Sequence, residues 1–213
     1  MKKVLIPVTN HATLGSTEQA NGTYAPELTH VLKELINAGI EYDIASIKGG
    51  KAPLYGTDIE GDNVNAEILA DDDFLNRINN TIPVSQLNSD DYDAIFYPGG
   101  FGLLSDLAVN KDFATIAAKH YEDGGVVASV CHGPAALLPI TLSNGEKLLA
   151  SKSVTGLPEK KKSTSAPLTI FHSYWKSHWH EVQHALARFN LGKSLSLSTN
   201  VSLQAKTQPV HTV

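Results

Sequence analysis

The chain has 213 residues, 42% hydrophobic and 18% charged, which suffices for one sizeable core and places it in the single-domain range. A single cysteine, Cys131, excludes an intramolecular disulfide and cysteine-based metal clusters and fits a reducing, cytoplasmic compartment. The formal net charge of −5 is uneven: residues 151–213 hold eight Lys or Arg against two acids, and the first 150 residues hold nine against twenty.

In chain order, Lys3–Val8 is β-branched and loosely alternating, which predicts a first buried strand. Lys2 and Lys3 read as its flank, not as the start of a signal peptide. No window offers the roughly 18 consecutive apolar residues of a membrane span, so no membrane partner is expected. A polar loop from His11 to Thr23 follows. Pro26 then opens a helix to about Ala38, with Leu28, Val31, Leu32, Leu35 and Ile36 at helical spacing and Gly39 as its stop. Glu41–Ser46 predicts a second strand and Gly49-Gly50 a turn. Short helices are expected at Asn65–Ala70 and Asp72–Asn79, then a buried strand at Asp93–Tyr97 ended by Pro98-Gly99-Gly100. Further helices are expected at Leu103–Ala108 and Lys111–Glu122, a strand at Val126–Val130 and a helix at Pro134–Leu138.

Strands alternating with helices imply right-handed crossovers and a mainly parallel sheet covered on both faces: a three-layer α/β/α sandwich of flavodoxin-like type. Chemistry in such sheets gathers at the carboxyl ends of the strands. Three features fall there: the polar loop after the first strand, Gly99-Gly100, and Cys131.

In GGVVASVCHGPAALL an apolar strand runs straight into Cys131-His132-Gly133-Pro134 and then an Ala/Leu helix. A sharp strand-to-helix turn of this kind, a nucleophile elbow, exposes a side chain at the top of a sheet. A lone cysteine is most often a small buried hydrophobe, and this context reverses that expectation. A helix N-terminus would lower the thiol pKa and favour the thiolate. The N–H of His132 could serve as an oxyanion donor. Glu27, taken alone, reads as an exposed acid of a first helical turn.

SVCHGPAALL resembles the elbow of the DJ-1/PfpI superfamily, of the class I glutamine amidotransferase-like folds, and within it the Hsp31-like subgroup. GTYAPEL at 22–28, ASIKGGKAPL at 45–54, FYPGGFGLLSDLA at 96–108 and SVTG at 153–156 match it too, so the likeness covers about residues 2–156. The resemblance implies Cys131 as nucleophile, His132 as its neighbouring base, and Glu27 as a protonated or proton-sharing carboxyl bonded to the sulfur. It implies an oxyanion hole from the N–H groups of Gly100 and His132. Phe101 stands where the family often has His. The implied activity is glyoxalase III: methylglyoxal to lactate without glutathione, metal or organic cofactor. Protein deglycase and holdase-chaperone roles are attached to the same subgroup. The expected partner is a small reactive aldehyde, with no nucleic acid, and the family allows a homodimer.

After Gly156 the likeness stops. By spacing, the family's third acid, which orients the histidine, falls at Lys162, with Glu159 as the nearby substitute, and this predicts impaired turnover. Read one base out of register, LQAKTQPV at 203–210, IFHSYWKS at 170–177 and EKKKS at 159–163 can encode TGQNPAS, IPFLLEE and EEEV, all resembling family segments. The hypothesis is therefore a domain over 1–156 and an atypical segment over 157–213 encoded out of frame. That segment also carries HEVQH, so His180, Glu181 and His184 offer a third class of function, a zinc hydrolase. No third ligand is evident, and no metal is expected.

Overall fold

The computed structural model describes residues 2–150 and Lys152. Seven strands and four helices follow in order: β1 (Lys3–Pro7), β2 (Thr23–Tyr24), α1 (Ala25–Asn37), β3 (Glu41–Ser46), β4 (Leu54–Tyr55), α2 (Asn63–Leu69), α3 (Asp72–Asn79), β5 (Ile82–Pro83), β6 (Ala94–Tyr97), α4 (Lys111–Glu122) and β7 (Val126–Ser129). Five of the strands form one parallel sheet in the order β5-β3-β1-β6-β7. The short β2 and β4 pair in parallel beside it. The expected α/β sandwich is what the chain adopts.

Each strand of the main sheet alternates between two cores, because successive side chains point to opposite faces. Val4, Ile6, Ile44 and Phe96 pack with Leu28, Val31, Leu32 and Leu35 of α1 and with Phe74 and Ile78 of α3. Leu5, Ala45, Ile95, Tyr97 and Val127 face the other way, onto Phe113, Ala114 and Ala117 of α4 and onto Leu103, Leu107 and Leu137. Helix α1 begins at the C-terminal edge of the sheet with Pro26 in its first turn. It ends in a Schellman motif: Ile40 N–H donates to the Leu35 carbonyl at 2.9 Å and Gly39 N–H to that of Ile36 at 3.0 Å, with Gly39 at φ +64°.

The expected helix at 103–108 is instead two 3-10 turns, Gly102–Leu104 and Leu107–Val109. Asp106 divides them: its carboxylate accepts from its neighbour Leu107 N–H at 2.6 Å and from Asn10 N–H at 2.8 Å, which holds its backbone out of helical geometry. The segment after Cys131 is likewise a five-residue 3-10 turn, Gly133–Leu137, not an α-helix. The segment 157–213, with Lys162, His180, Glu181 and His184, lies outside the described residues.

Because the sheet separates the two cores, Ile44→Val and Ile95→Val should each destabilise by about 0.5–1.5 kcal/mol. The two changes together should add to within about 0.5 kcal/mol, as read by urea unfolding.

Candidate active site

Cys131 stands one residue beyond β7, after Val130, and sits at φ +56°, the one non-glycine residue with positive φ among the described residues. That left-handed conformation disfavours a side chain by roughly 1–3 kcal/mol, and the surroundings hold it in place. Val130 N–H donates to the Tyr97 carbonyl at 3.1 Å, and Gly133 N–H reaches back to the Val130 carbonyl at 2.7 Å. Gly133 has to be glycine: a Cβ there would crowd the Tyr97 carbonyl oxygen and lie 3.1 Å from Ser129 Cβ. The chain thus turns sharply and offers the sulfur at the top of the sheet.

Four groups meet that sulfur. The N–H groups of Gly100 and His132 both donate to it, and the Glu27 carboxyl hydrogen-bonds it. His132 Nδ1 lies 3.3 Å from Sγ. Glu27, from the first turn of α1, is only 3% exposed, and its Oε2 accepts from Gly99 N–H at 2.7 Å. The sequence alone would leave this acid at a solvent-facing helix start; the resemblance placed it at the sulfur, and there it lies. Gly99 admits the carboxyl because a Cβ at 99 would collide with Oε2 and stand 2.8 Å from Cys131 Cβ. Gly100, at φ +115°, is pressed against the Gly22 carbonyl and 2.8 Å, by its absent Cβ, from the Tyr24 nitrogen.

The electrostatics correct one expectation. Burial pushes the Cys131 thiol up, and the adjacent Glu27 carboxylate pushes it further; the two N–H donors pull it down by less. The dipole that was to favour the thiolate is small, because the helix it requires is a single 3-10 turn. Burial likewise raises Glu27 from 4.5 to about 7, against the opposing hydrogen bonds from Cys131 and Gly99. Two acids in contact titrate as a pair, and the first proton lost near neutrality belongs to both. Of the two, the thiol is held up further, so the singly charged pair carries its charge on Glu27 and its proton on sulfur, and the thiol hydrogen bond and the Gly99 N–H both favour that carboxylate.

Aromatic rings border the pair. Phe101 packs on His132 with ring centroids 4.3 Å apart. Tyr24 and Tyr55, brought together by the β2–β4 pairing, lie 5.0 Å apart. Burial and then the nearby Glu27 raise the Tyr24 hydroxyl to about 12, and the same causes raise that of Tyr55. Sequence reading passed over both tyrosines, since two-residue strands leave no periodic signal. It also passed over Asn21, whose side-chain oxygen accepts from Phe101 and Gly102 N–H at 3.1 Å each. Among the described residues no three His, Cys, Asp or Glu gather as a metal site would need, and no helix is long and apolar enough to cross a membrane.

The pair predicts a pH signature. Alkylation of Cys131 by iodoacetamide should rise at lower pH in Glu27→Gln than in the wild type, because the substitution removes a carboxylate that holds the thiol up. An unchanged profile would separate Glu27 from the thiol. The native state holds the Glu27 proton above the pH at which the unfolded chain loses it, so stability falls as pH rises from 4.5 to about 7. Urea titrations should show this loss, up to about 3 kcal/mol, in the wild type and not in Glu27→Gln.

Comparison with known proteins bears on the same residues. The model of the DJ-1/PfpI family matches residues 19–168, a span that contains Glu27, Gly100, Cys131 and His132. The chain is 33% identical over 169 residues to the glutathione-independent glyoxalase HSP31 of Saccharomyces cerevisiae, covering 74% of this chain and 69% of that protein. The structure of the Rapid Encystment Protein 24 kDa of Francisella tularensis superposes with a TM-score of 0.71 at 33% identity, over 76% of this chain and 72% of that one. Glyoxalase III of Candida albicans gives a TM-score of 0.68 at 27% identity, over 82% and 75%. Sheet order, elbow and family match agree, and the chain belongs to the DJ-1/PfpI family.

Proposed function

We propose that the chain is a glutathione-independent glyoxalase that converts methylglyoxal to lactate, with Cys131 as nucleophile, Glu27 and His132 as proton carriers, and the N–H groups of Gly100 and His132 as the oxyanion hole. The observation that carries this reading is the buried Cys131–Glu27 contact beneath two converging N–H donors. The yeast and Candida relatives named as glyoxalases support the substrate class, a small reactive carbonyl compound.

The steps balance within the site. The thiol passes its proton to the Glu27 carboxylate as the sulfur attacks the aldehyde carbon, and the carbonyl electron pair moves to oxygen, which meets the two N–H donors and takes that proton from Glu27. The product is a hemithioacetal, and Glu27 is left as carboxylate. His132 Nδ1 or that carboxylate removes the proton from the former aldehyde carbon, and the ketone oxygen is protonated, giving an enediol. Returning the proton to the neighbouring carbon, while the hydroxyl on the former aldehyde carbon gives up its proton to replace the one placed on the ketone oxygen, leaves a thioester. Water cleaves it, sulfur departs as thiolate and lactate is released. One carbon is oxidised by two electrons and its neighbour reduced by two, so neither an external oxidant nor a bound cofactor is called for. The reaction fits a thiol of raised pKa, because the proton that leaves sulfur passes to Glu27, whose Oε2 is held by Gly99 N–H at 2.7 Å, and from there to the aldehyde oxygen.

Lactate formation from methylglyoxal, without glutathione, tests the proposal directly. The wild type should turn over, Cys131→Ser should lose about a thousandfold or more, and Glu27→Gln about a hundredfold. Turnover that survives Cys131→Ser removes the thiol from the reaction. No turnover in a wild type whose Cys131 alkylates normally rejects methylglyoxal as substrate.

A further inference from the structure

Three consecutive N–H groups, those of Gly100, Phe101 and Gly102, leave the loop after β6 in two directions. The first donates to the Cys131 sulfur. The other two converge on one atom, the side-chain oxygen of Asn21, at 3.1 Å each. The same oxygen accepts from Gly22 N–H at 2.9 Å. Asn21 is 6% exposed, and its own position is fixed from behind: its N–H donates to the Ala12 carbonyl at 2.9 Å, and Thr23 N–H donates to that of Pro53 at 2.9 Å. A Cβ at Gly22 would strike the Pro53 carbonyl, so the backbone beside Asn21 is packed without slack.

The loop it holds has the opposite character. Gly100 at φ +115° has no Cβ to restrict it, and glycine tolerates several orientations of the peptide that follows. The Gly100 N–H belongs to the Gly99–Gly100 peptide, and rotation of that peptide would turn it away from the sulfur; on one side the peptide is held by its carbonyl, which accepts from Tyr24 N–H at 3.2 Å. An acceptor that grips the next two N–H groups restricts the turn from the other side, since rotation would strand both donors.

We infer that Asn21 is a positioning residue whose side-chain oxygen locks the Gly100–Gly102 turn and so aims the Gly100 N–H at the Cys131 sulfur and at the oxygen of its adduct. Asn21 touches neither sulfur nor substrate; it acts through the peptide of Gly100. The kinetic half of the inference rests on the glyoxalase reading, and the thiol-titration half does not.

The test compares Asn21→Leu, which is close in size and has no acceptor, with Asn21→Asp, which keeps an acceptor oxygen. The full chain is used. Two readouts are taken: kcat and KM for methylglyoxal, and the pH profile of Cys131 alkylation by iodoacetamide. Asn21→Leu should lower kcat about ten- to a hundredfold with KM changed by less than about threefold, because the lost donor acts on the developing oxyanion. Its alkylation midpoint should move to higher pH, because the thiolate loses a donor. Asn21→Asp should restore both to within a few-fold of the wild type. Where Asn21→Leu does not fold, Asn21→Ala, which leaves room for water, replaces it with the same expectations. Unchanged kcat and midpoint in a folded acceptor-free variant overturn the inference, as does a loss confined to thermal stability. A wild type that does not act on methylglyoxal rejects the proposed function instead, and the alkylation midpoints then decide the role of Asn21.

Discussion

Glu27 and Cys131 are two acids held in contact at the end of a parallel sheet, Glu27 buried and Cys131 partly so, and the charge of either is poorly solvated there. Charging such a pair once is costly and charging it twice is far more so, so near neutrality it keeps at least one proton. The surroundings are arranged around that constraint. Gly99 supplies the carboxyl with one N–H donor, Gly100 and His132 supply the sulfur with two, and the glycine at 99 opens the space in which carboxyl and thiol touch. In the proposed reaction the thiol is activated by a neighbour that receives its proton and returns it to the substrate, more than by a depressed pKa of its own.

Much of the scaffold was legible in the sequence because its signals are long and periodic. The apolar spacing from Leu28 to Leu35, the Gly39 stop, and the boundaries of α3 and α4 are strong local patterns, and the structure places these elements within a residue or two of the reading. The elbow was legible for a different reason. Few contexts carry an apolar strand into Cys-His-Gly, and only a residue without Cβ fits against the Tyr97 carbonyl at 133. What escaped was set by contacts distant in sequence. Thr23–Tyr24 and Leu54–Tyr55 are two-residue strands with no period to detect. Asp106 breaks a plausible helix because of Asn10, 96 residues away. The burial of Glu27 depends on Gly99, 72 residues away, and only the family likeness pointed to it. The direction of the thiol shift was misjudged because burial and the neighbouring Glu27, which push it up, leave no local signal, and the helix dipole expected to oppose them is a 3-10 turn.

The site draws on four separated segments: Asn21–Glu27, Leu54–Tyr55, Gly99–Gly102 and Cys131–His132. A parallel sheet brings such segments together without any local code, since every strand ends on the same side. The order β1-β6-β7 sets the loops after β6 and β7 beside one another, and α1 starts against them. That arrangement leaves the loops themselves weakly determined: Gly99, Gly100 and Gly102 are glycines for want of space, and the same lack of side chains gives them conformational freedom. Close packing of backbone and fixed orientation of N–H groups therefore pull against each other. The second has to be supplied from outside the loop. The polar segment after β1 does this through Asn21, as the strained turn at Cys131 is fixed from outside by the carbonyl of Tyr97. On this view the residues that make the sulfur useful are as much the acceptors behind the glycine loop as the acids in front of it, and loss of one buried acceptor should be felt at the nucleophile before it is felt in the fold.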